Sequence, residues 1–378
     1  MSPITNARVL FNSVPDGALF LPSHTVHPFY APLCSGYPVP GETTVYDTSQ
    51  TIDLETAPLN GGFLLKTLVL SVDPYFRVIM RKTEGNANMT LLSQHSYSAH
   101  RCSGFGIAVV LRSENPDVGV GKHVYGFTIA HQEYSVVPAL GALQIMEKHP
   151  NLPWSAYLGA AGMPGQTAYI GWKEFVNPKA GEVVFVTTGA GAVGSMVIQL
   201  AKQAGLKVIA SAGSEEKVKF MQSIGADVAF NYKTTDTRAV LAKEGPIDIY
   251  WDNVGGEILD AALEFSAVHA RFLQCGAISE YNSGLQAPKN FHLIGERALH
   301  IHGVIMAHLP LAKYLPEFYA TIPAKLASGE LKYAEERTYG LEKMGGCDIG
   351  GAEGDEQGEG GGSGGRGIVL RYPLNSMR

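Results

Sequence analysis

Two patterns of apolar and polar positions divide the chain. From about Val9 to Val137 the apolar runs are short and cut by glycine and proline, as in LLKTLVLSV (Leu64 to Val72), FGIAVVLRS (Phe105 to Ser113) and HVYGFTIA (His123 to Ala130). Runs of this length between turn residues predict a β-rich domain. From Pro153 onward strand-like runs alternate with longer helical ones, in the order VVFVTT, GSMVIQLAKQAG, LKVIASA, KVKFMQSIG, IDIYWDNV and FLQCGAI. That alternation predicts an α/β fold, a doubly wound parallel sheet covered by helices on both faces and joined by right-handed crossovers. Two stretches fit neither pattern. Gly345 to Gly367 is about half glycine with scattered acids and predicts a mobile loop, because such a composition cannot repay its ordering entropy. Ala18 to Ser35 carries apolar and aromatic residues without a period and predicts an ordered surface loop or a lid.

Composition narrows the class. With 378 residues and 45% hydrophobic content the chain can bury two sizeable cores. A charged fraction of 17% and a net charge of -6 leave no broad footprint for nucleic acid or an anionic membrane. The N-terminal stretch lacks a basic start followed by an apolar core, and no later run reaches membrane-spanning length, so a cytoplasmic enzyme is expected. Cys34, Cys102, Cys275 and Cys347 lie far apart without a CxxC spacing, which predicts reduced thiols rather than disulfides or a structural zinc lobe.

The strongest chemical signal is VVFVTT, then GAGAVG (Gly189 to Gly194), then the helical run SMVIQLAKQAG. A glycine fingerprint between strand and helix is the dinucleotide-binding turn of a Rossmann domain. Gly189 makes the tight turn, Gly191 lets the backbone approach a pyrophosphate, and Gly194 allows close helix packing. The helix N-terminus, at Ala192 and Val193, offers its unpaired N–H groups to the phosphates. The second strand, LKVIASAG, ends in Ser211, Ala212, Gly213 and Ser214 where an NAD enzyme would place an acid on the adenosine ribose. Lys217 follows one turn later and NYK (Asn231 to Lys233) closes the third strand, so cationic and hydroxyl groups converge on a 2′-phosphate. NADP(H) is therefore the expected cofactor.

Seven ordered strings resemble the prostaglandin reductase and alkenal double-bond reductase family of the medium-chain dehydrogenase/reductase superfamily. They are VDPYFR (Val72 to Arg77), GMPGQTAY (Gly162 to Tyr169), GAGAVGS (Gly189 to Ser195), GSEEKV (Gly213 to Val218), FNYK (Phe230 to Lys233), DNVGGE (Asp252 to Glu257) and CGAISEYN (Cys275 to Asn282). The resemblance implies a GroES-like catalytic domain over 1–152, completed by 327–378, with a Rossmann domain over 153–326 between them. It implies a homodimer and NADPH-dependent reduction of the carbon–carbon double bond of α,β-unsaturated aldehydes or ketones. It puts Lys217 and Tyr232 at the 2′-phosphate beside Ser214. By the same resemblance Met163, Pro164 and Thr167 enter on the nicotinamide side, Asn253 faces the ribose, Cys275, Gly276, Ala277 and Ile278 bind the cofactor, and Tyr281 and Asn282 lie beside the nicotinamide and substrate. Tyr75 lines the substrate pocket.

The chain also departs from its relatives. No GHE string occurs and the twelve histidines show no ligand spacing, so no catalytic zinc is expected. Where the family carries a GxNxGK-like turn that helps hold the cofactor, the nearest equivalents are Ser363 and Arg366. Without a metal, the negative charge that develops on the carbonyl oxygen must be met by hydroxyl donors, Tyr281 and Tyr75 among them. Tyr281 either protonates the α-carbon or only orients the cofactor ribose. An NADPH quinone reductase or a tailoring enoyl reductase would share every cofactor residue, and an NADPH-binding redox sensor without turnover is the reading from another class. Elsewhere, Asp73 and Arg77 are expected to form a structural ion pair, Trp251 to sit in the core, and His300 and His302 to occupy core or edge positions.

Overall fold

The computed structural model describes residues 2–13, 37–80, 102–282, 286–344 and 368–371. In chain order the strands and helices are β1 (Ile4–Thr5), β2 (Arg8–Phe11), β3 (Thr44–Asp47), β4 (Thr51–Ile52), β5 (Phe63–Val72), α1 (Tyr75–Ile79), β6 (Ser103–Ser113), β7 (His123–Ala130), β8 (Tyr134–Val137) and β9 (Gln144–Met146). There follow α2 (Met163–Gly171), β10 (Val183–Val186), α3 (Ala192–Gln203), β11 (Lys207–Ala212), α4 (Glu215–Ser223), β12 (Val228–Asn231), α5 (Thr237–Glu244), β13 (Ile247–Asp252) and α6 (Gly256–Glu264). The last are β14 (Ser266–Gln274), α7 (Leu293–Glu296), β15 (His300–Gly303), α8 (Leu311–Ala327), β16 (Glu336–Tyr339) and β17 (Ile368–Arg371). They fall into two compact units, one built from the described residues up to Leu158 and from Glu335 onward, the other from Gly159–Ala334.

The first unit is β-rich. Its main sheet has seven strands in the order β16-β17-β5-β6-β7-β9, with β8 also pairing β5. The long strands β5 and β6 are antiparallel, and their inward positions Phe63, Leu65, Leu70, Ala108 and Val110 form the core with Val124 and Ile129 of β7. The chain returns to this sheet late, as β17 runs parallel to β5 and antiparallel to β16.

Asp73, just before α1, is buried with Arg77, but the side chain that acts on its carboxyl is Ser71 rather than Arg77, so the expected ion pair is not formed. The Asp73 carbonyl takes the Phe76 N–H at 3.0 Å, while its carboxyl lies with the Ser71 hydroxyl. Burial pushes that carboxyl up from its ordinary 3.8 to about 7, against the opposing pull of Ser71. A raised folded-state value means stability that is full below about pH 4 and lost as pH climbs through about 7. His131, held neutral by burial down to about 3, acts in the opposite sense on acidification. Comparing melting temperatures of wild type and Asp73→Asn at each pH isolates the carboxyl. The difference is expected to move in the variant's favour from about pH 4 to about pH 7 and then level off. A difference independent of pH contradicts this.

The second unit has a six-stranded sheet in the order β12-β11-β10-β13-β14-β15. All its pairings are parallel, and the order reverses between β10 and β13, the switch point outside which doubly wound sheets bind ligands. Because helices cover both faces, the strands read as continuous apolar runs. Phe185, Ile209, Tyr250 and Phe272 fill one side of the sheet. Trp251 is fully buried in β13, as its strand position predicted. His300 and His302 lie on β15, the edge strand, where His302 stacks on Phe175 at 4.6 Å between ring centroids.

Candidate functional site

The carboxyl ends of β10 to β14 are tied into one line by hydrogen bonds. After β10, Thr187 and Thr188 lead into the glycine turn, with Thr188 in the left-handed region (φ 47°). The Gly189 N–H donates to the Ser211 carbonyl at 2.9 Å and fastens the turn to β11. A Cβ on Gly189 would lie 2.7 Å from the Met221 sulfur. On Gly194 it would lie 2.5 Å from the Thr188 oxygen and 2.9 Å from the Gly189 Cα. Both positions demand glycine for packing. Gly191 is the N-cap of α3, and the Ser195 N–H donates to its carbonyl at 2.9 Å. The N–H groups of Ala192, Val193 and Gly194 thus have no intrahelical acceptor and point out of the helix end, an arrangement suited to phosphate oxygens.

At the next strand ends, the Ser214 hydroxyl caps α4 by accepting the Lys217 N–H at 3.3 Å. This fixes Lys217 in the first helical turn. The Tyr232 N–H donates to the Ala212 carbonyl at 3.1 Å, which sets Tyr232 beside the end of β11. Glu215, an acid in the same region, has its carboxylate held by the Asn231 amide at 3.0 Å. Ser214, Lys217 and Tyr232 therefore belong to adjoining strand ends, with no acid terminating β11.

On the other side of the turn, the Asn253 N–H donates to the Thr187 hydroxyl at 2.9 Å and its side-chain amide to the Thr187 carbonyl at 2.7 Å. Cys275 and Gly276 donate their N–H groups to the Asp252 carbonyl at 2.9 and 3.0 Å. Ile278 and Ser279 then donate theirs to the carbonyls of Asn253 and Val254. These bonds draw residues 275–282 against the DNVGG turn, where the Tyr281 hydroxyl lies 3.4 Å from the place a Gly276 Cβ would take. Burial pushes the Cys275 thiol up to about 12. On α2, the Thr167 hydroxyl donates to the Met163 carbonyl at 2.8 Å, and Pro164 sits in the first turn, where its missing N–H costs no helical bond. This helix packs on α3.

Three residues of this region went unnoticed in the sequence. The Asp252 side chain accepts from the Tyr250 hydroxyl at 2.9 Å and from the N–H groups of Val254 and Gly255 at 2.9 and 2.8 Å. Its carboxyl is raised by burial. An Asp bonding the backbone two and three residues on is the mark of an Asx turn, so the Asp before Val-Gly-Gly was the available signal. Thr187 carries both bonds from Asn253. Glu280, buried, accepts the Gly256 N–H at 3.2 Å and braces the same turn. For Thr187 and Glu280 the strings offered no comparable signal.

Tyr75 belongs to the β-rich unit, at the start of α1, where its hydroxyl accepts the Phe105 N–H at 3.4 Å. Ser363, Arg366 and the stretches Ala18 to Ser35 and Gly345 to Gly367 lie outside the described residues. Among the described residues no group of three or more His, Cys, Asp or Glu side chains is arranged to hold a metal ion, and Cys102 and Cys275 are free thiols.

A 3-2-1-4-5-6 parallel sheet with a glycine turn at its switch point, carried in one chain with a separate β-rich unit, defines a dinucleotide-binding oxidoreductase class. Comparison with known proteins narrows it. The zinc-binding dehydrogenase family model matches residues 192–322, and that for the N-terminal domain of oxidoreductase matches 43–145. The NADP(+)-dependent 2-alkenal reductase of Nicotiana tabacum is 36% identical, over 82% of this chain and 88% of its own. Prostaglandin reductase 1 of Rattus norvegicus is 34% identical, over 83% of this chain and 94% of its own. Among solved structures, CurA of Vibrio vulnificus in complex with NADPH superposes with a TM-score of 0.72 at 29% identity, covering 90% of this chain and 94% of that one. The chain belongs to the prostaglandin reductase and alkenal double-bond reductase family of the medium-chain dehydrogenases/reductases. Its Rossmann unit is Gly159–Ala334 and its β-rich unit is GroES-like.

Proposed function

We propose that this protein uses NADPH to reduce the carbon–carbon double bond of α,β-unsaturated aldehydes or ketones. The observation that carries the reading is the line of strand ends just described. It offers helix N–H groups at Ala192, Val193 and Gly194 for a pyrophosphate, and Ser214, Lys217 and Tyr232 for a 2′-phosphate. The likeness to a 2-alkenal reductase and a prostaglandin reductase supports the acceptor class. When bound, the dihydronicotinamide supplies a hydride to the β-carbon of the acceptor.

The chain's own part is to hold, orient and stabilise. Asn253 and the 275–278 segment take the nicotinamide ribose side, with Met163, Pro164, Thr167 and Asn282 bordering it. The Tyr281 hydroxyl donates to the carbonyl oxygen as negative charge gathers there. The enolate then takes its proton at the α-carbon from the Tyr281 hydroxyl or from water, because it needs only modest acid help. Ser363 is assigned to the cofactor on the family resemblance alone.

Tyr281→Phe tests the chemical role. Loss of one donor to a developing oxyanion is expected to lower kcat for simple enals by roughly 100-fold, with the Kd for NADPH little changed. Unchanged turnover removes Tyr281 from the chemistry, and a rise in Kd with unchanged kcat makes it a ribose anchor.

The protein further acts as a homodimer in the cytoplasm. β15 leaves its outer edge without a strand partner among the described residues, with Ile301 and Ile305 exposed beside it, the type of edge a second copy covers. Free thiols at Cys102 and Cys275 fit a reducing compartment. Sedimentation at twice the chain mass is the expected result.

A further inference from the structure

The first turn of α4 carries two acids beside the place proposed above for a 2′-phosphate. Ser214 caps the helix, and Glu215, Glu216 and Lys217 follow it in that order. Acids there suit the helix, because the partial positive charge of its N-terminus attracts them. They do not suit the ligand. A carboxylate at this end of the second strand is the group by which NAD-binding sheets take the ribose 2′-hydroxyl, and it repels a phosphate in the same place.

Asn231, the last residue of β12, meets Glu215 from the neighbouring strand end. It is buried and pairs in register with Ala212, the last residue of β11. Its side chain is used at both ends: Nδ2 donates to Glu215 Oε1 at 3.0 Å, and Oδ1 accepts the Lys233 N–H at 3.1 Å. The second bond is an Asx turn, made by a short polar side chain with the backbone two residues on. It fixes the plane of the amide and so decides where Nδ2 points. The Asn231 carbonyl also accepts the Thr234 and Thr235 N–H groups at 3.1 and 2.9 Å, which closes the loop behind it. Glu215 is exposed, whereas the group that holds it is built into the strand end.

We propose that Asn231 is a positioning residue for cofactor choice: by holding the Glu215 carboxylate at the end of β12, it keeps that carboxylate away from the adenosine 2′ position and so favours NADPH over NADH. Released, Glu215 repels the 2′-phosphate of the one and offers the 2′-hydroxyl of the other an acceptor. Lys217 supplies attraction, and Asn231 withdraws the opposing charge. The inference rests on the placement of the 2′-phosphate at Ser214, Lys217 and Tyr232 proposed above, and adds a residue that acts through an acid rather than on the phosphate.

Dissociation constants of NADPH, NADH and adenosine 2′,5′-bisphosphate, from fluorescence and calorimetric titration, test this in Asn231→Ser and Asn231→Asp, each with Glu215 intact and with Glu215→Gln. The serine keeps a hydroxyl for the Lys233 N–H but has no amide for Glu215. The aspartate is isosteric, keeps the turn acceptor and sets a second carboxylate against Glu215. The ratio of Kd for NADH over NADPH is expected to fall at least about fivefold in Asn231→Ser, the scale of a like-charge contact near a surface, and further in Asn231→Asp. Adenosine 2′,5′-bisphosphate is expected to weaken in step with NADPH. Glu215→Gln is expected to return the ratio to within about twofold of wild type in both backgrounds. It removes the charge in the first, and in the second its amide donates to the carboxylate at position 231, with donor and acceptor exchanged. Should the serine variant not fold, the isosteric variant decides by the same comparison. A ratio that keeps its wild-type value overturns the inference, as does a loss that Glu215→Gln leaves unrepaired, which assigns Asn231 to the loop alone. Lys217→Ala separates the two levels. Equal losses of NADPH and NADH in that variant overturn the 2′-phosphate placement itself, whereas a selective loss there with an unmoved ratio in the Asn231 variants overturns only the role of Asn231.

Discussion

Gly194→Ala is expected to weaken NADPH binding by about 10- to 100-fold and to lower the melting temperature. The added methyl has no room, because it would lie 2.5 Å from the Thr188 carbonyl oxygen and 2.9 Å from the Gly189 Cα, both backbone atoms of the same turn. Relief requires α3 to withdraw from the turn, and overpacking of this kind costs on the order of 1–3 kcal/mol before any effect on the ligand. Withdrawal also carries the N–H groups of Ala192 and Val193 away from the position they share with Gly194. Gly191→Ala supplies the contrast. Its backbone is extended (φ -72°), and the Cβ would meet only the Thr188 oxygen at 3.2 Å. It is expected to lose NADPH affinity while melting close to wild type. Fluorescence titration and thermal melts of the two variants check this, and normal NADPH binding by Gly194→Ala contradicts the turn's role.

Lys217→Ala is expected to weaken NADPH binding by roughly 5- to 150-fold, equivalent to ~1–3 kcal/mol for a lost charge-assisted bond, and to leave NADH within about twofold. The geometry behind this is the Ser214 cap, which holds the Lys217 backbone at 3.3 Å and fixes the side chain's origin in the first turn of α4. The helix end itself adds partial positive charge in the same place. Glu215 and Glu216 share the first turn of α4, and the carboxylate of Glu215 is engaged by Asn231 at 3.0 Å. Equal losses for the two cofactors contradict the assignment of Lys217 to the 2′-phosphate.

Much of this architecture was legible in the chain because it depends on local rules. The Gly189 to Gly194 spacing reports a turn whose backbone geometry only glycine permits, and the structure supplies the contacts that exclude a Cβ at the first and last positions. The missing acid at the end of β11 could be read directly, since a strand end is set by where its apolar run stops. Trp251 in the core and His302 on an edge strand followed from strand patterning. Features that depend on register or on competition between partners were not legible. Asp73 and Arg77 have the spacing of a helical ion pair, yet Asp73 precedes α1 and its buried carboxyl lies with the Ser71 hydroxyl. Nothing in SGFGIAVV announces that β6 slips against β7 at Phe105, because a bulge is a property of two strands. The bracing of the DNVGG turn by Glu280, twenty-four residues away from Gly256, is equally invisible in one dimension.

The most direct test of the account is the fate of a label. NADPH carrying deuterium at the transferable position of the nicotinamide ring is incubated with the protein and benzylideneacetone, and the product is examined by NMR and mass spectrometry. The account predicts a saturated ketone with deuterium on the former β-carbon and the carbonyl intact. Deuterium on the carbinol carbon of an allylic alcohol would contradict it.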